Sequence, residues 1–452
     1  MPMVSVPQTS SFEAPLDIAL SRGRLSALRT ATPGIFAVAG SFRIAMAFDR
    51  GETSLLALTA AVAAQGSRRY TRSEWANRLE RRGANLWIES AADRVSFFAR
   101  ACSEDLALVA ESLIECLREP RIDPEEFEIE RARAIAESQS CAADPAEMAS
   151  GALSRAIHPP AHPWYRAESA ETIAALEATT HDDVRRYHRE RFEPNDLRIV
   201  VVGDIDPFEA ATAFDRSLAA WPTPAVSRTV SPTVSPTVSP TVSPTPLSSM
   251  RASASLRATA TESTTIRLDA PGSETVEVAL GHGLALRCGD PDVLPLWLAN
   301  RILGVGFGSR LVAAVREERG LTYAIHSTVT PPLREFDAHW SVGVSLSPER
   351  LEAGLAATRA EIERFVEEGV DAHTLEIKRR QAIGGFRIEL ATLAGLSEAM
   401  LYGAERGWGA DYPLAFPRLL GDIDTARLNR ALRTHFRPDA LHTAIAGPLA
   451  SI

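Results

Sequence analysis

Phe127-Glu-Ile-Glu-Arg-Ala-Arg-Ala-Ile135 returns in the other half of the chain as Leu375-Glu-Ile-Lys-Arg-Arg-Gln-Ala-Ile383. On the N-terminal side of each copy, Ser103-Glu-Asp-Leu-Ala-Leu-Val109 lines up with Ser347-Pro-Glu-Arg-Leu-Glu-Ala353. On the C-terminal side, Phe192, Pro194, Leu197 and Gly203 recur with the same spacing as Phe436, Pro438, Leu441 and Gly447. Self-similarity of this kind marks a duplicated unit, here of roughly 200 residues.

Within the first unit the elements are readable. Phe36–Phe48 alternates as a strand does. Thr71 with Glu74 predicts a capping box, opening a helix that Gly83 ends. Leu86–Ser90 and Val95–Ala101 predict a strand pair, and Ser103 begins a helix. Asp123-Pro124 predicts an N-cap followed by proline at the first helical position. Arg198–Val202 closes the unit as a strand. Strands and helices mix without strict alternation, so the expected class is α+β: two homologous domains, each a mainly antiparallel sheet covered by helices. Between them Thr-Val-Ser-Pro occurs four times from Thr229 to Pro244. Proline at every fourth position removes backbone donors and fixes φ, which excludes helix and central strand there. The expected domains are 1–222 and 263–452, joined by a linker over 223–262.

Composition narrows the function. Of 452 residues, 45% are hydrophobic and 23% charged, enough to bury a large core without staples. Lys+Arg 48 against Asp+Glu 58 leaves a charge of −10 and no dense basic run, which argues against nucleic acid. Lys378 is the only lysine, so a phosphate-loop or Schiff-base lysine is excluded elsewhere. Cys102, Cys116, Cys141 and Cys288 lack C-x-x-C spacing and read as idle thiols. No apolar stretch is long enough to cross a bilayer and no secretory signal is visible, so a cytoplasmic protein is expected.

The search for chemistry returns little. There is no G-x-S-x-G elbow. Gly304-Val-Gly-Phe-Gly-Ser309 lacks the lysine of a phosphate loop, leaving a flexible turn or backbone amides offered to a peptide. His158 and His162 stand four apart, but Pro159 and Pro160 between them forbid the shared helical turn of a zinc motif. The other histidines are scattered. Glu130 and Glu137 project from nearly one face of the helix begun at Asp123, either as a solvated face or as a functional pair.

The stretch Gly308-Ser-Arg-Leu-Val-Ala-Ala-Val-Arg316-Glu-Glu-Arg-Gly-Leu-Thr-Tyr323 resembles the C-terminal half of insulinase/pitrilysin-type peptidases, the inverzincins. Ser103–Glu137 and Phe192–Asp206 resemble the N-terminal half. In active members an H-x-x-E-H helix supplies two zinc ligands and the general base, and a later glutamate completes the set. The resemblance places those three positions at Ala57, Ala60 and Ala61, the later glutamate at Glu137, and its companion at Glu130. Here the chain departs from the family: nothing between Glu52 and Arg68 can ionise. A catalytic zinc needs three protein ligands and an open position, and Glu137 alone cannot supply them.

The second-half motif is intact, and the resemblance implies that Arg316 and Tyr323 face the substrate. Arginine presents a rigid fork to carbonyls or a carboxylate, and a tyrosine hydroxyl can bond an oxyanion. The resemblance therefore implies a non-catalytic, substrate-binding subunit of a two-chain endopeptidase, as in mitochondrial processing peptidase. Such a chain would form half of a clamshell, with zinc held by a homologous H-x-x-E-H partner. A peptide would add to a sheet edge. The alternatives are an assembly protein built on the peptidase fold, like the core subunits of a respiratory complex, or a peptide-binding homodimer. Which peptide is processed stays open.

Overall fold

The computed structural model describes residues 14–49, 51–221 and 263–448. The Thr-Val-Ser-Pro repeat and the expected linker over 223–262 lie outside them. The first half runs β1 (Leu16–Ala19), β2 (Arg24–Arg29), β3 (Ile35–Arg43), α1 (Glu52–Ala63), α2 (Arg72–Glu80), β4 (Asn85–Ala91), β5 (Arg94–Cys102), α3 (Leu106–Arg118), α4 (Pro124–Ala143), α5 (Pro145–Ile157), α6 (Ser169–Ala178), α7 (His181–Arg191), β6 (Asn195–Gly203) and α8 (Pro207–Leu218). The second runs β7 (Thr265–Asp269), β8 (Val276–Leu284), α9 (Val293–Gly304), a π-helix (Val312–Glu317), β9 (Thr322–Val329), β10 (Ala338–Leu346), α10 (Leu351–Glu368), α11 (Ala372–Glu389), α12 (Leu393–Glu405), α13 (Tyr412–Gly421), α14 (Thr425–His435) and β11 (His442–Gly447).

The duplication is visible in the strand order. The first sheet is β1-β2-β6-β3-β5-β4 and the second β7-β11-β8-β10-β9. In each, one parallel pair (β2 with β6, β7 with β11) is followed by antiparallel neighbours. The fold is α+β with two homologous halves. Local signals account for the ends of elements: Thr71 Oγ1 accepts from the Glu74 amide at 3.4 Å while Glu74 accepts from the Thr71 amide at 2.9 Å.

Two local expectations need correction. The strand expected over Phe36–Phe48 ends at Arg43. Phe48 takes φ 56°, outside the β region, and its amide and that of Ala47 are captured by the Glu52 carboxylate at 2.8 and 2.9 Å. Ser103 opens a three-residue 3₁₀ turn, and α3 proper follows it at Leu106.

Both faces of each sheet are covered, which explains runs such as Ile199-Val-Val-Val202 that are apolar without alternation. Leu25, Phe36, Val38, Phe42, Ile199 and Val201 face one way, into a core shared with α3 and α8. Leu28, Ala39, Val200 and Val202 face the other way, onto Leu396, Met400 and Leu401. Those three belong to α12, which comes from the second half. The reciprocal arrangement covers the second sheet. Ala149, Ala152, Leu153 and Ile157 of α5 pack on Ala279, Ala444 and Ala446. Each half thus lends the other a helix. Alanines let α5 approach closely, and at Gly281 a Cβ would meet the Trp340 carbonyl oxygen at 2.3 Å and Leu153 Cδ2 at 3.1 Å.

Candidate functional site

α1 and α4 lie side by side and wall a cavity of about 1070 Å³ with α6 and the edge strand β4. Ala57 and Ala61, four apart and therefore on one helical face, line it, as do Glu130, Glu137 and Cys141 of α4. Leu86, Trp87 and Ile88 of β4 supply an apolar flank, and His162, Tyr165 and Arg166 close the far side. The cavity therefore has greasy walls with carboxylates and guanidinium groups at intervals, the build of a small-molecule or peptide side-chain site.

Of the five positions that the resemblance sets at a degenerate zinc site, the structure brings four together. Ala57, Ala61, Glu130 and Glu137 share the cavity, whereas Ala60 is 1% exposed and packs into the first core. Glu130 is buried and engaged: Gln65 Nε2 donates to it at 3.0 Å and also to the Ala61 carbonyl at 3.2 Å. Gln65 stands one helical turn beyond Ala61, and sequence reasoning passed over it because neither amide nor helix end suggested a role. Glu137 is exposed along the cavity. A donor set of one free carboxylate and one amide-bound carboxylate does not fit a catalytic zinc, and alanine offers neither ligand nor base.

All four cysteines are free, and burial pushes Cys116 up to about 12 while its Sγ donates to the Ala63 carbonyl at 2.6 Å.

Arg316 and Tyr323 meet on the second half. Arg316 sits in the π-helix, an element that recurs at functional sites because its extra residue re-aims side chains. Arg310, two residues before the π-helix, is bonded to Glu361 at 2.7 Å and Glu368 at 2.9 Å. The Arg316 guanidinium lies 5.0 Å from the Tyr323 ring centroid and 5.4 Å from that of Phe307. Tyr323, on the edge strand β9, is 83% exposed and Phe307 76% exposed. Among the described residues no hydrogen bond or ion pair engages the Arg316 donors. Phe307 was hidden in the glycine-rich stretch 304–309, whose carbonyl at Gly308 accepts a bond from Lys378 Nζ.

Two sequence profiles match consecutive parts of the chain: "Insulinase (Peptidase family M16)" over residues 58–160 and "Peptidase M16 inactive domain" over residues 178–382. The chain belongs to the insulinase (M16) peptidase family. An uncharacterized zinc protease of Streptomyces coelicolor is 25% identical over 313 residues, a match that takes in 67% of this chain and 60% of that protein. The match thus spans less than two thirds of that relative's length. Among solved structures, a peptidase M16 inactive domain from Pseudomonas fluorescens superposes with a TM-score of 0.81 at 18% identity, covering 96% of this chain and 98% of that one. A protease from Helicobacter pylori superposes with a TM-score of 0.78 at 14% identity, covering 97% and 100%. At these identities the superpositions show the shared M16 fold. No helix among the described residues is long and apolar enough to cross a membrane.

Proposed function

We propose that this chain is the non-catalytic, substrate-binding subunit of a two-chain zinc endopeptidase acting on peptides. One contrast carries the reading: Ala57 and Ala61, which the resemblance sets at two of the three metal-ligand positions, line an open cavity as alanines, while the Arg316–Tyr323 motif is intact, Tyr323 is exposed, and the half-buried Arg316 keeps its donors free of hydrogen bonds and ion pairs among the described residues. The chain supplies recognition. The Arg316 fork donates to peptide carbonyls or a carboxylate, the Tyr323 hydroxyl donates to a carbonyl oxygen, and the edge strands β4 and β9 offer unpaired backbone to an extended segment. The cavity beside β4 takes a side chain of that segment. Zinc and the general base belong to an H-x-x-E-H partner of similar size, the two chains closing as the halves of a clamshell.

The test is co-expression with an H-x-x-E-H relative and a fluorogenic peptide library, each chain also assayed alone. Turnover that appears only in the mixture, and that a zinc chelator abolishes, is the expected result. Arg316→Ala and Tyr323→Phe are each expected to lower that turnover by at least about tenfold, the scale of one lost charge-assisted or transition-state hydrogen bond. Assembly, read by gel filtration, stays unchanged. A stable complex without any gain in turnover would instead identify an assembly protein.

A further inference from the structure

Two neighbouring histidines of the first half, His158 and His162, meet a third from the second half, His339, where the halves exchange α5. His158 caps the end of α5, His162 lies in the loop beyond it, and His339 lies on β10 of the other half. The His158 and His162 rings stack at 4.1 Å, 13° from parallel, and His158 Nε2 lies 2.9 Å from His339 Nδ1. His158 and His162 are 2% and 1% exposed. The trio is short of partners: His158 Nδ1 and His162 Nε2 are both buried without a hydrogen bond. His162 Nδ1 accepts from the Trp164 amide at 3.1 Å, so its proton sits on the orphaned Nε2. Lone pairs in two parallel planes do not converge on one point, and among the described residues no group of three His, Cys, Asp or Glu is placed to hold a metal ion. What remains available to the cluster is protonation.

We propose that His158, His162 and His339 form an acid-sensitive latch, which holds α5 and its adjoining loop on the second sheet while neutral and releases them when protonated. The surroundings offer little compensation for added charge. From β8 comes His282, backed by Arg437, Asp439 and His442. From α4, Glu137 and Cys141 share the cavity wall with His162, and on the loop itself Arg166 is already paired with Glu147. Burial, chiefly, lowers His162 and His339 to about 4 and His158 further, to about 2, with the neighbouring imidazoles adding repulsion at His158 and His339. Because the closed state binds protons less readily than the open one, the latch is at full strength above the ordinary histidine value of about 6.5. It weakens as the pH falls from there towards about 4. The effect reaches the cavity directly. His162 lines it, and His162 packs at 5.4 Å on Phe336, which packs at 5.3 Å on Phe48, another cavity residue.

Hydrogen–deuterium exchange on the full chain at pH 7.0 and 5.5, corrected for intrinsic exchange rates, tests this. Acidification is expected to cost the α5 amides up to about tenfold in protection for each imidazole that takes up a proton on opening, with α3 and α8 unchanged. The variant His158→Gln/His162→Asn/His339→Asn, which keeps neutral hydrogen-bonding groups, is expected to lose that pH dependence. Equal α5 protection at both pH values in the wild type would overturn the proposal, as would a variant that responds as the wild type does. Should the variant fail to fold, imidazole ¹⁵N shifts of the wild type decide: rings that stay neutral until α5 opens support the latch. Rings that titrate separately near their ordinary value, with α5 still protected, overturn it.

Discussion

Alanine at 57, 60 and 61 keeps the helix intact and offers neither a metal ligand nor a proton acceptor at those three positions. The three positions are not equivalent in space. Ala57 and Ala61 line the cavity, as does Glu137, and Ala60 packs into the core. Ala57→His with Ala61→His is therefore expected to recreate three ligands and to bind one zinc ion per chain, checked by metal analysis after gel filtration. Ala60→Glu is expected to behave differently. An uncompensated carboxylate at a position 1% exposed should cost roughly 3–5 kcal/mol, read as a lowered urea midpoint. Building metal ligands at 57 and 61 and placing a carboxylate at 60 are thus separable changes to this scaffold. Gln65 has a part in this: its amide donates to Glu130 at 3.0 Å, and Arg133 lies 3.5 Å from the same carboxylate, so Glu130 is already partnered within the cavity wall.

At the scale of elements, the pieces that could be read from the sequence are those specified by neighbours along the chain. The Thr71–Glu74 box, the Asp123-Pro124 start of α4 and the β4–β5 pair depend on residues only a few positions apart. The π-helix was not legible, because Val312–Glu317 has an ordinary helical composition. The end of β3 was missed for a related reason: Glu52, beyond the strand, captures the amides that would have extended it. Nor could the place of α5 be read, since its small residues say only that something comes close. Gly281 tells what comes close. Gly281→Ala is expected to cost about 1–3 kcal/mol by prising the backbones of β8 and β10 apart beneath Leu153, measured by urea unfolding.

For the whole molecule, the duplication gave away two sheets but not their exchange of helices. Pattern matching sees likeness between halves, whereas α12 on β3 and β6 and α5 on β8 and β11 are contacts between unlike parts. The same limit hid the histidine cluster, whose members come from residues 158–162 and 339. Polar links reinforce the exchange: Glu405 at the end of α12 pairs with Arg94 of β5 at 3.1 Å and accepts a hydrogen bond from Ser41 of β3. A chain cut within 223–262 is expected to yield two fragments that purify together, and either fragment expressed alone is expected to be insoluble. Affinity capture through a tag on one fragment checks both outcomes.

The exchange also sets an order of events on the ribosome. Translation delivers the first sheet complete by Gly203, but its cover, Leu396, Met400 and Leu401, is almost two hundred residues from being made. Throughout that interval Leu28, Val200 and Val202 have nothing to rest against, and α5 is waiting for strands that do not yet exist. The nascent first half thus carries an uncovered apolar sheet face until α12 emerges, so the speed with which the second half leaves the exit tunnel sets how long that face stays open to aggregation.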